Sequence, residues 1–188
     1  MSATSAPFGL RAAYHPSGRD RSREYSLLAS YATPIYSGSP VALVGNQINL
    51  ASYQADFLGC FDGVTYTDVT GKPNVTNFWP GAQTGATNII AWVTDDPMVV
   101  YEIQAAGPIA AGLIGRQIDL DSGSIGSGSS TTGLSTAMAS ATVLAAGVQG
   151  QLAIVDYNQA PTNAPGDAFT VLQVRIARHQ FVANKVSV

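Results

Sequence analysis

The chain has 188 residues and a formal net charge of −3; 11% of its residues are charged and 46% are hydrophobic. An ordinary domain is charged at about a quarter of its positions, so this surface carries little charge to resist association. The acidic balance gives no bulk case for nucleic acid, no run reaches the ~18 apolar residues of a membrane-spanning helix, and the single Cys60 excludes an intrachain disulfide framework.

Residues 1–30 read as an extended arm. Pro7 and Pro16 interrupt any helix, and Arg11, Arg19, Arg21 and Arg23 against Asp20 and Glu24 give the segment a balance of +2, while the remaining residues carry five basic and ten acidic groups, a balance of −5. Such an arm suits docking on an acidic neighbour, with Phe8 and Leu10 as apolar anchors. It lacks the basic-then-apolar start of a secretory signal, so a cytoplasm-like compartment is expected.

From residue 31 onward short strands follow one another. Segments 31–35, 41–44 and 47–50 come first, the last two joined by the hairpin signal Gly45-Asn46. Segments 57–61 and 63–67 lead into a turn at 68–73, and 89–93 stops at Asp95-Asp96-Pro97. Segment 98–104 alternates. Pro108 and Gly115 bracket a short helix over 107–115. Segment 117–120 is a strand, and the Gly/Ser-rich stretch 121–133 is a loop. Segments 142–144, 151–157 and 169–177 complete the series. In the last, Thr170, Leu172, Val174 and Ile176 share one face, and Arg175 among apolar neighbours suggests a strand near an edge or interface. This punctuation predicts an all-β single domain, barrel-like or sandwich-like, over 31–188, with little helix.

No pattern carries catalysis. One cysteine and two histidines, His15 and His179, offer no zinc spacing; Asp95-Asp96, or Asp119 with Asp121, lack the partners of a calcium loop and read as turn acids. There is no nucleophile elbow, and the glycines of 123–128 lack the Lys-Ser/Thr ending of a phosphate loop. No catalytic, cofactor or metal residue is assigned, and the chain is not expected to be an enzyme. Adjacent Phe78 and Trp79 stand out. On a strand successive side chains face opposite sides, so one of the two is presented outward as a contact anchor, unless a loop folds both rings onto the core. Tyr14 carries the same ambiguity.

Several segments together resemble the decoration, or cement, proteins of tailed-bacteriophage heads: 6–11 (APFGLR) with 14–18 (YHPSG), 35–41 (IYSGSPV) with the Gly45-Asn46 hairpin and 58–61 (LGCF), 63–66 (GVTY) through 77–80 (NFWP), and 167–171 (DAFTV) through 179–181 (HQF). The resemblance implies a β-barrel-like domain on the outer face of a capsid, in the virion, assembled in the host cytoplasm. Its partner would be the major capsid protein, and it would self-associate, trimers favoured over dimers, with no cofactor, no membrane and no direct contact to nucleic acid. Contact residues expected on the residues' own pattern are Phe8, Leu10, Arg11, Tyr14, Arg19, Arg21, Arg23, Phe78 and Trp79, and deletion of 1–30 is expected to leave a folded domain that no longer binds. Two rivals stand beside this reading: a tail, baseplate or head–tail component, and a carbohydrate-binding module or adhesin that stacks sugars on Trp79, Trp92 and surface tyrosines.

Overall fold

The computed structural model describes residues 4–19 and 21–183. In chain order its strands are β1 (Arg11–Tyr14), β2 (Arg23–Ser26), β3 (Ile35–Tyr36), β4 (Pro40–Val44), β5 (Gln47–Leu50), β6 (Gly59–Thr67), β7 (Pro73–Thr76) and β8 (Phe78–Trp79). They continue with β9 (Thr87–Thr94), β10 (Val100–Gln104), β11 (Gln117–Leu120), β12 (Gly128–Ser129), β13 (Leu134–Ser135), β14 (Ala139–Val143), β15 (Leu152–Tyr157) and β16 (Val171–Ile176). The fold is all-β, and no helix occurs among the described residues. The expected helix over 107–115 is replaced by turns. Gly112 and Gly115 both sit at positive φ (82° and 86°), and Ile109 is buried with its N–H donated to the Thr170 hydroxyl.

Five strands close a barrel in the order β4-β5-β2-β9-β6, sealed by pairing of β6 with β4. The hairpin at Gly45-Asn46 forms, with both residues at positive φ, the conformation a two-residue hairpin turn requires. β6 is nine residues long. One of its sides pairs with β9, while the other pairs with β4 at its start and β7 at its end. A bulge falls between Phe61 and Gly63, and one extra residue reverses the facing of everything after it. Phe61 therefore points inward, and so do Val64 and Tyr66, three and five residues on. The barrel also encloses Val41, Ile48, Leu58, Ala91 and Val93. The β3–β8 ribbon adds Ile35 and Trp79.

The second layer is an open antiparallel sheet ordered β1-β10-β16-β15-β11-β14. Its inner face, including Tyr101, Ile103, Ile118, Leu152, Leu172 and Val174, packs on the barrel's outer wall at Ala42 and Cys60. These alternate along β4 and β6 with inward-facing Val41 and Phe61, so the period-2 pattern gives one strand to two cores. Small residues on the shared wall let the layers approach. Arg175 belongs to β16, which lies between β10 and β15. It is therefore central in the sheet rather than near an edge; its side chain is on the face away from the core, opposite that of Val174 and Ile176.

The first thirty residues are not a detachable arm. β1 pairs with β10 in the open sheet, and β2 lies between β5 and β9 as a stave of the barrel. The other end of the described chain is tied in as well. Gln180 exchanges two hydrogen bonds with the Leu43 backbone (2.7 and 3.0 Å), and Phe57 bridges to His179.

Candidate interaction surface

β1 and β2 lie in different layers, and so do their partners β10 and β9. The 15–22 connection therefore crosses from sheet to barrel alongside the 95–99 connection, which makes the same jump. This brings His15, Ser17, Gly18, Arg19, Arg21 and Arg23 around Asp95 and Asp96, bordering a cleft of about 560 Å³.

The floor of the cleft is tightly bonded. The Asp95 side chain is 2% exposed, with Arg23 Nε 3.4 Å from one oxygen and the Tyr25 hydroxyl donating to the other at 2.5 Å. Burial and the neighbouring Asp95 carboxylate push the Tyr25 hydroxyl up to about 12. His179 lies behind the turn, 2% exposed. Its Nδ1 accepts from the Phe181 N–H (3.1 Å), which leaves Nε2 to donate to the Asp95 carbonyl (3.0 Å). That is a fully used neutral imidazole. Burial lowers its pKa, against the opposing pull of the Asp95 carbonyl and the two aspartates. His15 Nδ1 accepts from the Ser17 N–H (3.1 Å), and Nε2 faces Asp96 Oδ1 at 3.4 Å without forming a hydrogen bond.

The rim is different. Arg19 and Arg21 are exposed, and neither forms an ion pair with another described residue. The Arg23 side chain is 51% exposed. Three of the four arginines expected as contact residues thus border one opening. Asp20, used in the charge balance, lies outside the described residues.

The other expected contact residues divide. Leu10 and Trp79 are fully buried and are not contact residues in the folded chain. Leu10 is pinned by a 2.7 Å hydrogen bond to the Gly38 carbonyl, and Trp79 fills the barrel, edge-on to Tyr66 at 5.5 Å with Nε1 donating to the Tyr31 carbonyl (2.9 Å). Of the adjacent aromatics it is Phe78 that faces away from the core, half-buried and stacked on Tyr36. Arg11 pairs with Glu102 and lies 4.6 Å from the Phe8 ring centroid, so these two clasp the N-terminal segment to the open sheet. Burial of Glu102 favours its protonated form. Hydrogen bonds from Arg11, Asn158 and Gln173, with the Arg11 charge, outweigh this and hold the carboxyl below its usual value. Tyr14 is 47% exposed on β1.

A second depression, about 410 Å³, lies on the outer barrel wall beside half-buried Trp92 and is bordered by Asp62, Asn77 and Val75. Among the described residues no group of three His, Cys, Asp or Glu side chains is placed to hold a metal ion. The gathering of both histidines at the Asp95-Asp96 turn had no signal in the sequence beyond a strong strand halted by Asp-Asp-Pro. No family model, curated protein or solved structure matches the chain.

Proposed function

We propose that the protein is a structural virion component that binds the outer surface of a tailed-phage capsid and bridges major capsid subunits. It acts by contact area, not chemistry. The observation that supports this best is the state of the sheet edges. β1 and β14 end the open sheet and β7 ends the barrel sheet, and neither β7 (PNVT) nor β14 (ASATV) carries a charge. Proteins that stay alone often guard free edges with charge; the edge of β7, and that of β14 beyond Ala139, which is itself bridged to Ala105, are available to strands of a neighbouring subunit, with Val75 82% exposed on β7. Self-association as trimers, with dimers the second arrangement, would multiply each contact.

Co-sedimentation with mature undecorated capsids tests the proposal. Saturable binding at hundreds of copies per particle is the expected result, and absence of binding would overturn it. A dozen or fewer copies would point to a tail, baseplate or head–tail component.

A glycan-binding reading draws on Trp92, an aromatic face beside the Asp62 carboxylate and the Asn77 amide. Trp79 takes no part, being buried. Glycan-array binding that disappears in Trp92→Ala would favour this reading over the first.

A further inference from the structure

We infer that the cleft between the 15–22 and 95–99 connections receives an extended acidic peptide segment of the partner protein, with Arg19 and Arg21 binding its carboxylates. The inference rests on the capsid-surface proposal for where that partner is found, and it specifies the partner's chemistry.

Charge placement carries the argument. In a chain with nine basic residues in all, three arginines border one opening, while residues beyond 30 are net acidic. The two described acids of the cleft differ: Asp95 is buried and fully engaged, whereas Asp96 is half exposed. Asp95 is enclosed by Arg23 and Tyr25; Asp96 faces His15 and accepts the Met98 N–H at 2.8 Å. The buried Asp95 carboxylate thus lies on the floor, and at the rim three arginines outnumber the half-exposed Asp96 that an incoming carboxylate would also meet. The guanidinium fork matches a carboxylate with two parallel hydrogen bonds. Gly18 sits at positive φ with open space where a side chain would project, so the mouth is unobstructed. The arginine-bearing connection is held at both ends by paired strands, which lowers the ordering cost of binding. The cleft has the volume of a peptide or ligand site, and its cations are spread along a connection, as successive acidic side chains require.

The test uses the full chain and an end-capped hexaglutamate peptide at low salt, followed by NMR amide shifts. Saturable shifts at residues 15–23 and 95–96 are expected, weakening with added salt. Affinity should fall at least tenfold in Arg19→Glu/Arg21→Glu and rise in Asp96→Asn. Both arginines are exposed, and unchanged circular dichroism would show that the double variant folds. Absence of saturable shifts would overturn the inference. So would inorganic phosphate reproducing the same shifts with equal affinity, which would mean an adventitious ion only. A parallel capsid experiment separates the two proposals. If the double variant binds capsids like the parent chain, the cleft inference fails and the capsid reading stands. If the parent chain does not bind capsids, the capsid reading fails and the peptide titration alone decides the cleft.

Discussion

The barrel and the open sheet solve the same problem differently. The barrel spends its strands on closure: five staves pair all round, and only the appended β7 presents an edge. Its interior holds the large aromatics Phe61, Tyr66 and Trp79. The open sheet keeps two edges, that of β14 bridged at Ala139 to Ala105, and gains its core by lying on the barrel wall. The N-terminal segment serves both, as a stave of one and an edge of the other. A short chain segment therefore has unequal importance along its length, and the perturbations that follow should expose that inequality.

The largest effect is expected from deleting residues 1–30. This removes β1 and the stave β2 together, so the truncated chain should fail to fold, seen as loss of near-ultraviolet circular dichroism and of dispersed amide signals. A folded truncated chain would show that the barrel closes without β2. Next, Trp79→Ala empties the barrel and should cost about 3–5 kcal/mol in urea unfolding, whereas Leu172→Ala in the sheet core should cost about 2–5 kcal/mol. One shared transition in both variants would show that the layers unfold as a unit. Glu102→Ala releases the β1 edge and leaves the Asn158 and Gln173 side chains without this acceptor. The expected cost is about 1–2 kcal/mol, reduced because Arg11 is largely exposed, with faster hydrogen exchange at Ala12 and Tyr14 and little change in β9.

A pH experiment reads the junction between the layers. His179 is held neutral with a folded pKa below its ordinary 6.5, so the unfolded chain takes up the proton first as pH falls. The stability that depends on the neutral ring is complete above 6.5 and is lost as pH drops through that value toward the folded pKa. Urea midpoints should therefore decline over that range, and His179→Gln should flatten the decline. Smallest of all, Val75→Thr on the free edge of β7 should change stability by no more than about 0.5 kcal/mol. If this variant also weakens capsid binding, that edge is a contact.

The all-β class was legible because it rests on local signals: alternation, glycine punctuation and the Gly45-Asn46 turn. Segment 169–177 shows the success, since Leu172, Val174 and Ile176 face the core together. The same alternation separated Phe78 from Trp79, although nothing local says which of them faces inward; Ile35, far back in the chain, decides it by pairing with Trp79. β1 and β2 were illegible. Each is four residues long and mostly exposed, with antiparallel partners some sixty to ninety residues away. The 107–115 segment shows the reverse failure: its end signals fit a helix, but Gly112 between them adopts a conformation a helix does not permit. The cleft was legible only as a basic run. Its acidic residues Asp95 and Asp96 come from a distant turn.

The placement of β2 also has a consequence in time. Ser26 meets Gln47 on one side and Ile90 on the other, so β2 must wait for segments synthesised after it before it has a place. Phe57 waits longer still for His179. Long waits between contacting segments slow folding and leave apolar surface uncovered while the ribosome is still at work. Refolding should therefore be slow for a chain of this size, and nascent chains released short of residue 180 should be the ones that chaperones retain.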